Sequence, residues 1–469
     1  ALPARSEMCI RDSTYTTRAV FENEYSILEN AEKLHGQDTF YVPEKRVQAS
    51  INSFEKDKGF SLSDEQKAVI RYVTQAQGIA TVVGYAGAGK STVMNVVRQA
   101  YEANGARVFG AALAGVAVDG LRESSGINSR TIRSWEVNWE RDKRNLQAGD
   151  VFVLDEAGMV SSQQMRTIVE HVEKAGAKLI IVGDHRQLQP IMSGAAFRGI
   201  AENVGYRELT GIIRQRNPEH VAASLHLARG ETRQALERHE ALGNIQISAK
   251  GVDARKQIVQ EWGQSWNAGN DVIILTHRND DVEALNQYAR SLLKDAGGLQ
   301  DEFSLTTSKG TKSFAIGDKI IFLEGDYETG LKNGSIGFIT EFNQKTRSLS
   351  VEVDYGKTVS IDTARYNSFT HGYAQTIHKS QGKTVDDAFI YATSMMDAQL
   401  SYVALTRHRD NVRLITSPDA LKDRADFFNR LSNDRQKDVS FLHRHTQDYA
   451  DALRGFMAVS YTHLDGARE

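Results

Sequence analysis

From about residue 59 onward, short apolar runs rich in β-branched residues alternate with longer stretches whose apolar positions recur every three or four residues. The runs at 79–83, 107–112, 151–154 and 179–182 read as buried strands, with helices between them. Near-continuous apolar strands separated by helices predict a parallel α/β sheet covered on both faces. A second set follows at 272–275, 388–392 and 412–415, with a helix over 281–294. Between roughly 300 and 368 the pattern changes. Short strands at 319–323, 336–341, 349–353 and 358–361 are separated by turns such as Lys332-Asn333-Gly334, which predicts a small antiparallel, barrel-like β insert. Residues 14–58 are polar and read as helices over 19–34 and 44–56. The expected organisation is a helical segment 14–58, a first lobe 59–208, a second lobe 209–299 and 369–430 interrupted by the insert, and a polar helical tail 431–458.

A chain of 469 residues exceeds one ordinary core, in keeping with several domains. Its 40% hydrophobic and 25% charged content are those of a soluble globular protein. No apolar run approaches the ~20 residues needed to span a bilayer, so membrane insertion is not expected. Cys9 is the single cysteine, which excludes an internal disulfide or a cysteine-based metal site and suits a cytoplasmic protein. A net charge of −3 argues against a uniformly basic coat and leaves room for a local basic groove. Residues 1–13 (ALPARSEMCIRDS) and 459–469 (VSYTHLDGARE) resemble translated sequencing-adaptor remnants and are set aside from fold reasoning.

The first strand-to-helix turn carries chemistry. Gly84-Tyr85-Ala86-Gly87-Ala88-Gly89-Lys90-Ser91 satisfies the spacing G-x-x-x-x-G-K-S/T, and the helix opens at Thr92. Glycines let backbone N–H groups turn inward around phosphate oxygens, and the helix N-terminus adds its positive dipole end. Lys90 would reach the β- and γ-phosphates, and Ser91 would ligate Mg²⁺. Asp155 and Glu156 follow the 151–154 strand, where Asp155 can hold the Mg²⁺ shell and Glu156 can deprotonate the attacking water. Gln187, in GDHRQLQPI, can donate to a γ-phosphate oxygen and accept from that water. Arg214 and Arg407 supply guanidinium groups that can stabilise charge on a transferred phosphoryl. Gln66 opens a helix that Ser63 or Asp64 can cap, and its amide suits an adenine edge. These residues predict ATP and Mg²⁺ as cofactors.

Taken in order, LSDEQ, GYAGAGKST, DEAG, GDHRQLQPI, IIRQR, YAQTIHKSQGKT and YVALTRHRD resemble the motif set of superfamily 1 helicases of the RecD-like branch, across 14–430. VFGAALAGVAVDGLRESSGINSRTIRSWE, DEAGMVSSQQM and the lead-in YTTRAVFENEYSILENAEKL are similar to the helicase portion of TraA-type conjugative relaxases. The resemblance implies two RecA-like lobes with ATP between them and single-stranded DNA across their tops. It further implies 5′-to-3′ movement, duplex DNA split ahead of the motor, and conjugative transfer proteins as partners. Residue by residue, it assigns the adenine contact to Gln66 and the loop contacts to Gly84, Ala86, Gly87, Gly89, Lys90, Ser91 and Thr92. It assigns DNA phosphate contacts to Thr376, His378, Lys379 and Ser380, with Gly382 coupling them to ATP, and further strand contacts to Thr131 and Arg133. Trp135 or Trp139 is open either to stacking a base, worth ~1–3 kcal/mol, or to burial in the core.

Two departures stand out. Relatives carry a lysine after the glycine of the first DNA-contact motif, whereas this chain has Val116 in Ala114-Gly115-Val116. A complete relaxase also carries an upstream nicking domain with a tyrosine nucleophile and a three-histidine metal site. His443-Arg444-His445 lies in a polar stretch at the other end and reads as surface, so no nicking chemistry is expected here. The rival readings are a RecD-type subunit of a recombination exonuclease complex and a DNA-binding remnant without catalysis. The intact set Lys90, Glu156, Gln187, Arg214 and Arg407 argues against the remnant.

Overall fold

The computed structural model describes residues 18–434, apart from 142–145, 189–195, 327, 354–355 and 420–422. The adaptor-like ends, Cys9, His443-Arg444-His445 and the expected tail from residue 435 lie outside the described residues, as do Gln189, Pro190 and Ile191 of GDHRQLQPI.

The first sheet is built from β1 (Ile79–Gly84), β2 (Val108–Ala112), β3 (Asn128–Thr131), β4 (Val151–Leu154), β5 (Lys178–Gly183) and β6 (Arg207–Leu209). Its order is β3-β2-β4-β5-β1-β6, and every pairing is parallel. Strand alternation sorts its side chains into two cores. Phe152, Leu154, Leu179 and Ile181 face one side, where α1 (Arg18–His35) supplies Ile27, Ala31 and Leu34. Val151, Val153, Ile180 and Val182 face the other, where α2 (Glu44–Lys58) supplies Val47, Ile51 and Phe54. Each such side chain contributes roughly 1.5–3 kcal/mol by leaving water. The polar-looking N-terminal helices are therefore walls of the first lobe's two cores. On the second face α3 (Asp64–Val73), α4 (Lys90–Ala103) and α5 (Gly115–Ser125) join α2. On the first, α6 (Ile132–Glu140), α7 (Ser162–Ala175) and α8 (Ala196–Val204) join α1.

The chain leaves this sheet after Leu209, whose strand the apolar pattern did not predict. β6 has only three residues, two of them exposed. After α9 (Pro218–Ala228) and α10 (Thr232–Ala241), the second sheet opens with β7 (Ile245–Ile247) and β8 (Val272–Thr276), with α11 (Gly251–Asn267) between them and α12 (Asn279–Asp295) after. Then comes an antiparallel hairpin of β9 (Gln300–Thr307) and β10 (Gly310–Ile316). A five-stranded antiparallel sheet follows, built from β11 (Lys319–Phe322), β12 (Ile336–Asn343), β13 (Ser348–Val353), β14 (Lys357–Asp362) and β15 (Phe369–His371). Its order β14-β13-β12-β11-β15 is open rather than a closed barrel, and the hairpin shares its core through Leu305 and Phe314. β15 carries the insert past residue 368, because the triplet Phe369-Thr370-His371 pairs with β11 and not with the second lobe. A buried ion pair, Arg290 Nε to Asp318 Oδ2 at 3.0 Å, joins α12 to the insert, and the Tyr373 hydroxyl donates to Asp318 at 2.7 Å.

The second sheet is completed by β16 (Ala374–Thr376), β17 (Val385–Tyr391) and β18 (His408–Thr416), in the all-parallel order β16-β8-β17-β18-β7. α11 and α12 cover one face, while α9, α10, α13 (Ala398–Leu405) and α14 (Arg424–Leu431) cover the other. Among the described residues no helix is long and apolar enough to cross a membrane.

Candidate functional site

The turn between β1 and α4 closes on itself. Lys90 Nζ donates to the carbonyls of Gly84 and Tyr85 at 2.8 and 3.2 Å, which holds its stem across the start of the loop. A Cβ on Gly84 would sit 2.6 Å from the Lys90 side chain, so only glycine admits this fold-back. Gly87 has φ +82°, and a Cβ there would lie 2.6 Å from the Cβ of Arg214. Its bare backbone is what lets the crossing segment pack on the loop, where Ile213 N donates to Gly87 O at 2.9 Å. Gly89, also left-handed at φ +81°, caps α4 and leaves that helix's first N–H groups facing the cavity.

β4 delivers Asp155 and Glu156 opposite the loop. Glu156 is one of few non-glycine residues with positive φ, +52°, in the turn that aims its carboxylate. Its N–H donates to Asp155 Oδ1 at 2.9 Å. Burial and the neighbouring Glu156 charge push the Asp155 carboxyl up to about 6, with Lys90 pulling the other way. Asp184 follows the end of β5, and its Oδ2 accepts from Gln187 Nε2 at 3.1 Å.

The two arginines come from outside the first sheet and meet at the loop. Arg214 Nη1 donates to Thr406 O at 2.7 Å. Arg407, only 2% exposed, donates to Val403 O at 2.8 Å and to Lys383 O at 3.3 Å. These acceptors are uncharged, and burial holds both guanidinium groups below the ordinary arginine range; for Arg214 the Arg407 charge adds to the effect. A cavity of about 590 Å³ brings Gly87, Gly89, Lys90, Ser91, Thr92, Asp155, Glu156, Gln187, Arg214, Gly382 and Arg407 together. Gly382 faces Glu156: a Cβ on it would lie 4.0 Å from Glu156 Oε1. The cavity therefore has a cationic rim and an acidic floor, a layout suited to a polyphosphate with its metal ion. No cluster of three or more His, Cys, Asp or Glu that could cage a metal occurs among the described residues. The Ser91 hydroxyl and the Asp155 carboxylate are hard oxygen donors, which fits a cation completed by phosphate and water, as Mg²⁺ is commonly held.

Gln66 lies beside the cavity. Ser63, rather than Asp64, caps α3, and the Gln66 side-chain oxygen accepts from Ser63 N at 3.0 Å in a reciprocal capping box. That leaves the Nε2 end, which lies against Gly89. Its donor faces the loop while its acceptor serves the helix.

The residues read as strand contacts separate into two groups. Thr131 ends β3 and caps α6, accepting from Ser134 N at 3.2 Å, and Arg133 is solvent-facing with Glu136 and Glu140 within 3.4 Å. Thr376 ends β16, and His378 and Lys379 project from the turn Ile377–Ser380. Partial burial and the Lys309 ammonium of the β9–β10 turn hold Lys379 below the ordinary lysine value, so the insert brings a second cation to this edge. Ser380 turns inward: it is buried, its hydroxyl donates to Ile377 O at 2.7 Å, and it cannot reach a strand from there. Trp135 and Trp139 are core residues. Trp135 Nε1 donates to Gly110 O at 3.0 Å, and both rings pack on Phe152. Neither is available to stack a base. Beside Val116 the insert supplies a lysine of its own, Lys332, whose stem lies over Gly115 and whose ammonium pairs with Asp119.

Sequence reasoning passed over Tyr402, although it opens YVALTR. Its hydroxyl accepts from Ala86 N of the loop at 2.9 Å and donates to Asp184 at 2.6 Å. Nothing in a one-dimensional pattern distinguishes this tyrosine from the apolar residues around it in α13.

The family described as "AAA domain" matches residues 61–250, and the "Viral superfamily 1 RNA helicase core domain" matches 322–416. A conjugal transfer protein TraA of Sinorhizobium fredii is 40% identical over 94% of this chain and 40% of its own length. The ATP-dependent RecD2 DNA helicase of Deinococcus radiodurans is 25% identical over 80% of the chain and 50% of its own. A crystal structure of Pif1 helicase from Bacteroides, in complex with ADP-AlF3 and ssDNA, shares the fold with a TM-score of 0.51 and 20% identity, over 76% of this chain and 92% of that one. The chain spans about two fifths of the length of the TraA relatives it matches. With its ordered motifs, two parallel sheets and shared cavity, the chain is similar to superfamily 1 helicases of the RecD-like branch and is homologous to a segment of the TraA conjugal transfer proteins.

Proposed function

We propose that this chain is an ATP-dependent motor on single-stranded DNA that separates duplex, the helicase part of a conjugative relaxase, moving 5′ to 3′. The observation that carries the reading is the shared cavity, in which Lys90, Asp155, Glu156 and Gln187 of the first lobe face Gly382 and Arg407 of the second, with Arg214 on the segment between. In this reading Lys90 and the loop N–H groups hold the phosphates, and Ser91 and Asp155 hold Mg²⁺, which supplies charge neutralisation at the transferred phosphoryl. Glu156 takes the proton of the attacking water, which Gln187 orients. Arg214 and Arg407 stabilise the developing charge, and because they arrive from beyond the first sheet, hydrolysis requires the lobes to be closed. Lys379, His378, Thr376, Thr131 and Arg133 contact the strand without reading bases. The reading as a RecD-type exonuclease subunit has weaker support, since the RecBCD subunits RecD among the relatives are 23% identical.

Hydrolysis is expected to rise on adding single-stranded DNA and to be abolished by Lys90→Ala. Hydrolysis indifferent to DNA would sink the motor reading. Strand displacement on substrates with a single 5′ or 3′ overhang tests direction, and displacement from the 3′-tailed substrate alone would reverse the assignment.

A further inference from the structure

Tyr402 stands outside every role assigned so far, yet its hydroxyl bonds both the phosphate loop and Asp184. It lies on α13, in the apolar core of the second lobe, and is 1% exposed. Its ring belongs to that buried cluster, so its hydroxyl points where α13 puts it. That hydroxyl has one proton to give and uses it on Asp184 Oδ2, at 2.6 Å, while its oxygen accepts the Ala86 N–H of the phosphate loop at 2.9 Å. Burial raises its pKa well above the ordinary tyrosine value, so it stays a neutral donor and acceptor across the working pH range.

Asp184 passes the connection on. Its Oδ2 also accepts from Gln187 Nε2 at 3.1 Å, and its Oδ1 accepts from Arg186 N at 3.0 Å. Gln187 Oε1 in turn accepts from Gln381 Nε2 at 3.2 Å, and Gln381 lies between Ser380 and Gly382 in the turn that carries His378 and Lys379. Asp184 and Gln187 are 2% and 3% exposed, so water does not compete for these bonds. The chain of contacts begins in the first lobe's loop, crosses to the second lobe at Tyr402, returns at Asp184, and crosses again at Gln381. Both crossings join the first lobe to the second.

We infer that the Tyr402 hydroxyl is a positioning group that couples the phosphate loop to the DNA-contact turn, through Asp184, Gln187 and Gln381. The inference rests on the ATP and DNA reading above and adds the route between the two sites. Allostery of this kind is a reciprocal free energy between ligands, typically 5–150-fold in affinity. A phenylalanine at 402 keeps the ring and removes both hydrogen bonds.

The test uses the full chain, a fluorescent non-hydrolysable ATP analogue with Mg²⁺, and a thymidine oligonucleotide. Analogue affinity is measured without DNA and at saturating DNA. In the unaltered chain DNA is expected to change that affinity by about tenfold. In Tyr402→Phe the ratio should collapse to below about twofold while the analogue still binds. Gln381→Ala, at the half-buried far end, should lose the ratio equally, and the double variant should fall no further, as members of one network do. A wild-type ratio in Tyr402→Phe overturns the inference. If that variant does not fold, Gln381→Ala decides: a collapsed ratio supports the route and a retained one overturns it. An unaltered chain that binds no analogue, or binds it equally with and without DNA, fails the ATP and DNA reading and takes this inference with it.

Discussion

Lys178 illustrates how one buried charge sets a pH dependence. Its Nζ donates to Gln75 O and Gln77 O at 2.8 and 2.7 Å and lies over the rings of Phe40 and Tyr101. Burial pushes its pKa down to about 7 from an ordinary 10.5. The neutral amine still has two protons for its two carbonyls, so the deprotonated form satisfies the site without a buried charge. Because the folded pKa is the lower one, the unfolded chain binds more protons between about pH 7 and 10, and stability must rise with pH across that window. Below pH 7 both states carry the proton and the cost of burying it is fully present. Thermal unfolding of the unaltered chain should therefore gain on Lys178→Met as pH is raised from 7 to 9. A constant difference between the two would contradict this assignment.

At the level of elements, α3 and the phosphate loop share one side chain. Gln66 completes the capping box with Ser63 and lays its remaining donor against Gly89. Losing the cap hydroxyl costs about 1 kcal/mol of stability. Ser63→Ala should show that loss in denaturant unfolding with KM for ATP unchanged. Gln66→Ala should lose the other half of the capping box, the Ser63 N–H bond to its side chain, and also raise KM several-fold, and equal KM effects from both variants would make Gln66 purely a capping residue. The apolar pattern recovered most elements near their observed bounds because each buries a continuous face: the expected 151–154 strand is β4 itself, and the 19–34 helix is α1 with one residue added at each end. It missed β3, β6, β7, β15 and β16, which are short and lean on a neighbouring strand, and the longer β9–β10 hairpin, whose residues are mostly polar and exposed or half-buried.

Over the whole molecule, cations from distant parts of the chain meet along one edge. Lys379 of the second lobe faces Lys309 of the insert, two ammonium groups close enough for one to lower the other's pKa. Like charges held together in this way favour a polyanion between them. Single-stranded DNA affinity should fall with salt along a log–log slope set by the number of phosphates neutralised. Lys379→Ala and Lys309→Ala should each reduce that slope by about 0.7–1, with the loss uniform across base sequences. An unchanged slope in Lys309→Ala would remove the insert from the DNA path.

Local chemistry was legible without coordinates. A glycine-rich turn between a strand and a helix has few other uses, so Gly84 to Ser91, Asp155-Glu156 and Gln187 stood out on residue type and strand-end position alone. Their second-lobe partner Arg407 was visible too, but only by its company in YVALTR. What spacing cannot encode is which side chain a fold turns inward or carries across a cleft. Ser380 is spent on Ile377, Trp135 and Trp139 are buried against Phe152, and Tyr402 leaves its own core to bond the opposite lobe's loop. The last of these depends on residues hundreds of positions apart, Tyr402 and Ala86, whose contact exists only once both sheets have formed and closed on one another, and the first two on which face of its own lobe each segment turns to the core.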